Sequence, residues 1–325
     1  MRILYGGRAN AILFNYLRSN DISGKVILPA NMCDTVTAAY IKAGMQVVLC
    51  DLDPRDWQPD RNRIMELLKE DGSISVLHYS HTYGYEGGEE NELFKTAAEE
   101  YPSLVIIDDR CLCRPSAEND DGRCSTMTLF STGSKKYADL GRGAFALVKE
   151  SRAGAKYSCH VLEYSKEEEK RFEEESKRCI AQGTALSEEV IWGDWLDTRG
   201  GDLPEDYPDR VKNCCRETEK HKAVINRIYE GLPGSMGMRY NTWRYNVLAE
   251  NQGECVERLF REGLFASAHY SNTGRRFGIE GDMYWCDRLY RHVINLFNDY
   301  AYTPEQAEKT REILQETIIP WDINI

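Results

Sequence analysis

The 325-residue sequence has no apolar run approaching the length of a membrane span. Its amino terminus, MRILYGGR, holds only a three-residue apolar stretch, too short for the apolar region of a secretory signal. Basic clusters are missing too. The net charge is −12 and no Lys/Arg block stands out, which argues against a nucleic-acid surface, because phosphate backbones require a concentrated basic patch. There is no internal repeat, low-complexity tract or sustained heptad. The eleven cysteines are scattered and odd in number. Their closest groupings, Cys111-Leu112-Cys113 and Cys214-Cys215, lack the paired two-residue spacing of a zinc site. We therefore expect no metal, reduced thiols and a cytoplasmic location.

Hydrophobic residues make up 42% and charged residues 29%, ordinary values for a globular enzyme long enough for one large domain and a smaller one. The first half alternates strand-like and helix-like segments. Strands are predicted at 2–5, 25–29, 45–53, 73–80, 103–108, 126–131 and 143–148. Helices are predicted after Gly7, then at 34–43 (stopped by Gly44), 60–70 and 89–101. This order predicts an α/β fold with a mainly parallel sheet covered by helices on both faces. The second half changes character, with a highly charged helix at 165–180 and a Gly/Pro/Asp-rich segment at 198–209. A long helix at 210–231 follows, then a strand at 244–250 and helices at 251–263, about 283–299 and 304–317. We expect a large domain over 1–203 and a smaller α+β domain over 204–325.

In parallel sheets, ligands gather at the carboxyl ends of the strands. The apolar run Val105–Ile107 ends there in Asp108 and Asp109. The run Leu129-Phe130 is followed by Ser131, Lys135 and Lys136. Pyridoxal phosphate requires an acid that keeps its pyridine nitrogen protonated and a lysine that forms a Schiff base with its aldehyde. Beside a cationic ring, a buried lysine would have a depressed pKa. Gly6-Gly7-Arg8-Ala9-Asn10, between a short strand and a helix, could bind the phosphate on backbone N–H groups, or be a plain tight turn. Asp108-Asp109 could equally be a solvated strand end, and both lysines ordinary loop charges. His78 and His81 could bond a ligand, but such histidines are more often satisfied core groups.

In order and spacing, these segments resemble the DegT/StrS-type sugar aminotransferases, fold-type-I pyridoxal-phosphate enzymes. GGRANAIL is similar to the family's phosphate-binding helix start, VLHYSHTYG to its His-x-x-Gly strand, VIIDDR to its Glu-Asp strand, and FSTGSKKYADLGRGA to its Phe-Ser-x-x-x-x-Lys segment. A weaker match runs through FASAHYSN at 265–272. The resemblance implies Lys136 as the Schiff-base lysine, with the neighbouring Lys135 as the alternative register, and Asp109 as the pyridine partner. It implies Gly7, Arg8, Ala9, Cys33 and Ser131 around the cofactor, and His81, His269 and Tyr270 toward the substrate. It also implies an amino donor and a keto-sugar, nucleotide-linked as is usual in the family, as small-molecule partners, and a homodimer with a shared active site. The sequence departs from the family at Cys33, where an aromatic residue usually stacks on the ring, and at Leu112, where Gln or His usually touches the ring hydroxyl. It also begins almost at the phosphate loop, without the family's amino-terminal arm. A lyase or dehydratase on the same scaffold, or a non-catalytic relative, are the alternatives.

Overall fold

The computed structural model of the protein describes residues 1–116, 124–149, 156–201 and 203–322. The chain runs β1 (Arg2–Gly6), α1 (Ala9–Ser19), β2 (Lys25–Pro29), α2 (Asp34–Lys42), β3 (Gln46–Cys50), α3 (Arg61–Glu70), β4 (Ile74–Ser80), α4 (Glu90–Glu100), β5 (Val105–Asp109), β6 (Met127–Ser131) and β7 (Ala144–Val148). These strands form one sheet in the order β1-β7-β6-β5-β4-β2-β3. The pairings from β3 through β6 are parallel, and only β7 runs against its neighbours. The mainly parallel α/β sheet is thus as expected. All five residues of β5 are buried, as a strand covered on both faces requires. On one face, Ile12, Leu13, Tyr16 and Leu17 of α1 and Ala38, Ala39 and Tyr40 of α2 join the main core. On the other, Ile64 and Leu68 of α3 and Leu93, Phe94 and Ala97 of α4 pack on Ile27, Leu77, Tyr79 and Ile106. Gly44 has φ +86, the left-handed stop that a glycine after α2 predicts.

The strand register creates the site. Ser80 pairs with Asp109, and Asp109 with Leu129. Ser131 and Gly6 both pair with Ala144. Strands β1 and β6 therefore point the same way, and one sheet edge collects Gly6, Ser80, Asp109 and Ser131.

Beyond the sheet come α5 (Lys166–Gln182), α6 (Glu188–Trp192), α7 (Tyr207–Tyr229), β8 (Tyr245–Leu248), α8 (Gln252–Arg261), β9 (Ala266–Ser267), α9 (Gly274–Phe277), α10 (Tyr284–His292), β10 (Val293–Leu296) and α11 (Pro304–Thr317). A second, antiparallel sheet has the order β8-β10-β9. Its Val247, Ile294 and Leu296 pack with Ile225 of α7, Leu259 of α8 and Leu314 of α11. The first half of α7, Tyr207, Val211 and Cys215, packs instead on Phe145 and Leu147 of the main sheet. This helix begins within the Gly/Pro/Asp-rich segment at 198–209. The helical stretch expected over 283–299 is corrected: the helix stops at His292, and the next four residues are the central strand of the small sheet. All four are buried. A strand there satisfies both neighbours' backbone groups, which outweighs the helical pattern leading into it. Among the described residues, no helix is long and apolar enough to cross a membrane.

Candidate active site

The carboxyl edge of the main sheet opens into a cavity of about 450 Å³. Each wall comes from a connection leaving that edge: the Gly7–Asn10 turn, Asn31–Cys33 after β2, His81 and Thr82 after β4, Asp109 ending β5, and Ser131 with Lys136 after β6. Helix α1 starts at Ala9, and the Arg8 side chain does not cap it. Arg8 pairs instead with Glu169. The first-turn N–H groups of a helix have no intrahelical partner, and they carry the positive end of its dipole. Gly201 packs directly beneath this turn, where a Cβ would come within 2.7 Å of the Gly7 Cα.

The two lysines diverge because of the turn that carries them. Lys135 has φ +64. Its N–H donates to Asp139 Oδ2 at 2.8 Å, and its carbonyl accepts from Trp243 Nε1 at 2.7 Å. The Lys135 side chain is exposed, with Nζ 5.8 Å from the Phe297 ring centre. Lys136 N–H bonds the Gly133 carbonyl at 3.2 Å, and its side chain lines the cavity.

Asp109 is 5% exposed. Burial alone would raise its pKa, but the His78 ring at 3.1 Å and the Cys111 N–H at 2.9 Å hold it below the usual carboxylate value. Lys136 is the amine of the cavity. Burial pulls its pKa down, but Tyr270, Cys111, Cys33 and Asp109 around it more than compensate, and the net direction is upward. Burial pushes the Tyr270 hydroxyl up to about 12 and the Cys111 thiol well above its usual value. At neutral pH the cavity therefore holds an ionised Asp109 carboxylate and a Lys136 ammonium.

The structure brings Gly7, Arg8, Ala9, Cys33, Asp109, Ser131, Lys136, His81 and Tyr270 to this one cavity. His269 lies outside its lining, with its ring 5.5 Å from that of Trp243. Its pKa is pushed down to about 4 by burial and by the charges of Arg244 and Lys136. His81 is in the wall, but both ring nitrogens are engaged, by Asp108 Oδ1 at 2.7 Å and by the Tyr85 carbonyl at 2.8 Å. Leu112 and Cys33, the two departures from the family pattern, both line the cavity.

Sequence reasoning left out Asn31, whose amide donates to Thr82 Oγ1 at 2.9 Å, and Glu173 at the rim. The helical phase of α5, with Phe172 and Ser176 buried, could have flagged Glu173. Tyr40, bonded to His78, gave no sequence signal, because it reads as one more core residue of α2.

No protein-family model matches the sequence, and no curated protein matches it. Solved structures do match. DesI, in the presence of its TDP-sugar product, aligns at a TM-score of 0.71 and 14% identity, over 97% of this chain and 80% of its own. A DegT/DnrJ/EryC1/StrS aminotransferase from Brucella abortus aligns at 0.69 and 14%, over 97% and 86%. The sugar aminotransferase CalS13 from Micromonospora echinospora aligns at 0.68 and 14%, over 97% and 87%. A sugar aminotransferase from Streptococcus pneumoniae, solved in PMP and PLP forms, aligns at 0.70 and 0.69 with 12% and 14% identity, over 97% of this chain and 87% of its own in each form. The likeness extends over 97% of the chain, and the chain has the fold of the DegT/DnrJ/EryC1/StrS sugar aminotransferases.

Proposed function

We propose that the protein is a pyridoxal-phosphate-dependent aminotransferase acting on a nucleotide-linked keto-sugar or on a similar small carbonyl compound. The observation that carries this reading is the meeting of Lys136 and Asp109 in one cavity at the carboxyl edge of the sheet. The structure of DesI in the presence of its TDP-sugar product, and the PMP and PLP forms of the pneumococcal protein, support it.

The donor set fits the cofactor. Asp109 is an ionised acceptor for a protonated ring nitrogen. The uncapped start of α1 and the Ser131 hydroxyl supply donors for a phosphate. Lys136 supplies the amine. When bound, pyridoxal phosphate supplies an electron sink and a carbonyl able to carry an amino group from donor to acceptor. Lys136 Nζ would hold the cofactor and would then accept and return a proton as general base and acid. Asp109 keeps a positive charge on the ring nitrogen stable. The Gly7 turn, with Arg8 and Ala9, orients the phosphate end, and Tyr270 faces the Lys136 amine. By analogy with the fold, the protein works as a homodimer with a shared active site. The eleven free thiols are in keeping with a cytoplasmic location.

A second reading, a lyase or dehydratase with the same cofactor, draws on Cys33 and Leu112, whose side chains give the wall a character the family pattern lacks. The two readings separate in one experiment. The protein is loaded with pyridoxal phosphate, and its visible band is followed as amino acids are added singly. Conversion of the band to the amine form, reversed by a keto-sugar nucleotide, is the aminotransferase result. A band that amino acids leave unchanged contradicts it.

A further inference from the structure

Behind Asp109, on the side away from the cavity, lies a buried polar chain that the proposed function does not use. His78 on β4 presents Nε2 to Asp109 Oδ2 at 3.1 Å, and its Nδ1 lies 2.9 Å from the Tyr40 hydroxyl on α2. His78 is 1% exposed and Tyr40 is fully buried. Their rings meet edge to face, 5.6 Å apart at 84°. The carboxylate's other oxygen, Oδ1, accepts the Cys111 N–H at 2.9 Å. Asp109 is thus gripped at both oxygens, and its remaining lone pairs face the cavity.

The chemistry of the groups sets the direction of the chain. An ionised carboxylate only accepts, so the bond to Asp109 requires a hydrogen on Nε2. If that is the only hydrogen on the ring, Nδ1 presents a lone pair. The phenol facing that lone pair keeps its hydrogen, because burial and the nearby Asp109 charge raise its pKa, and so it is the group able to donate. Each bond runs toward Asp109: Tyr40 O–H to Nδ1, then Nε2–H to the carboxylate. In the opposite tautomer a lone pair would face the carboxylate, and Asp109 Oδ2 would lose its donor in a buried site, which is costly.

We propose that Tyr40 and His78 are positioning residues: the Tyr40 hydroxyl selects the His78 tautomer that donates Nε2–H to Asp109, and this bond holds the carboxylate as an acceptor turned to the cavity. The inference rests on the reading of the cavity as a pyridoxal-phosphate site. Without the His78 donor the carboxylate becomes the stronger base. The proton it shares with the ring nitrogen then moves to oxygen: the N–H bond breaks, the O–H bond forms, and the ring loses its positive charge.

The test uses the full chain labelled with ¹⁵N-histidine, before and after loading with ¹⁵N-pyridoxal phosphate. The expected spectrum shows His78 protonated at Nε2 and unprotonated at Nδ1, with Tyr40→Phe shifting it toward a mixture. The expected pyridine signal lies at the protonated position in the wild type. It moves toward the neutral position in His78→Leu and stays between the two in His78→Gln, which keeps an N–H donor. If His78→Leu does not fold, as judged by circular dichroism, Tyr40→Phe carries the same test, since it removes one oxygen only. An unprotonated Nε2 in the wild type, or a pyridine signal unmoved in a folded variant, overturns the proposal. A wild-type protein that takes up no cofactor overturns the functional reading instead, and the histidine spectrum still decides the tautomer.

Discussion

His81 Nε2 lies 2.7 Å from Asp108 Oδ1, with both side chains buried. The other Asp108 oxygen accepts from Arg110 Nε at 2.8 Å, and Arg110 reaches on to Glu90 at 2.8 Å. Two adjacent acids thus have separate roles. Asp109 faces the cavity, whereas Asp108 anchors a buried ion network behind the wall. Burial would raise the Asp108 pKa, but His81 and Arg110 bring it down to about 2. Asp108→Asn takes the carboxylate out from between His81 and Arg110 in a buried network, and we expect it to cost about 3–5 kcal/mol of stability. Because the folded pKa is depressed, the part of this stability linked to protonation, about 2 kcal/mol, is present at neutral pH and is lost as pH falls from about 3.8 toward 2. Denaturant unfolding of the variant at neutral pH measures the loss.

Asp109→Asn keeps the shape of the cavity floor and removes its charge. We expect aminotransfer to fall on the order of 10²–10³-fold, as when an electrostatic stabiliser of a charged transition state is removed. The fold should remain, checked by an unchanged far-ultraviolet circular dichroism spectrum alongside the rate.

Gly201 is far from the cavity acids in sequence, but a Cβ there would meet Gly7 Cα at 2.7 Å and Gly7 N at 2.9 Å. Both contacts are to backbone, which cannot swing aside. Gly201→Ala therefore shifts the turn that leads into α1. The expected outcome is weaker uptake of pyridoxal phosphate, with inorganic phosphate also a poorer competitor, read by equilibrium titration.

Lys222 on α7 is 5% exposed and donates to the Trp243 carbonyl at 2.9 Å and to Asn298 Oδ1 at 2.5 Å. Burial, then the Arg244 charge, lowers its pKa to about 7, against 10.5 when free. Between those values the unfolded chain holds a proton on Lys222 that the folded chain does not, so stability rises with pH across that window. The slope from this one group is at most about 1.4 kcal/mol per pH unit. Below pH 7 both states carry the proton and the slope vanishes. Lys222→Met should flatten the curve of unfolding free energy against pH in that window alone.

Much of this architecture is legible in the sequence for physical reasons. A parallel strand covered on both faces must be apolar until it reaches the edge, so Val105–Ile107 followed by two acids marks both a strand and the end of it that meets the cavity. Lys136 was legible as one of a pair, but the choice between neighbours depends on the left-handed turn at Lys135 and the Trp243 bond to its carbonyl, which come from elsewhere in the fold. The strand Val293–Leu296 was hidden because it follows a helix without a break and is defined only by partners far away in the chain. Tyr40 was hidden for a similar reason. Its place in a helix follows from packing, and its hydroxyl partner lies 38 residues away.

The central claim is that Lys136, and not Lys135, holds the cofactor. The most direct measurement is borohydride reduction of the protein loaded with pyridoxal phosphate, followed by peptide mass spectrometry, on the wild type and on the Lys135→Ala and Lys136→Ala variants. The account predicts loss of the visible band on reduction, with the added mass on Lys136 in the wild type and in Lys135→Ala. It predicts no stable label in Lys136→Ala, with aminotransfer reduced about 10²–10⁴-fold there. A label on Lys135, or a folded wild-type protein that forms no reducible band, would contradict it.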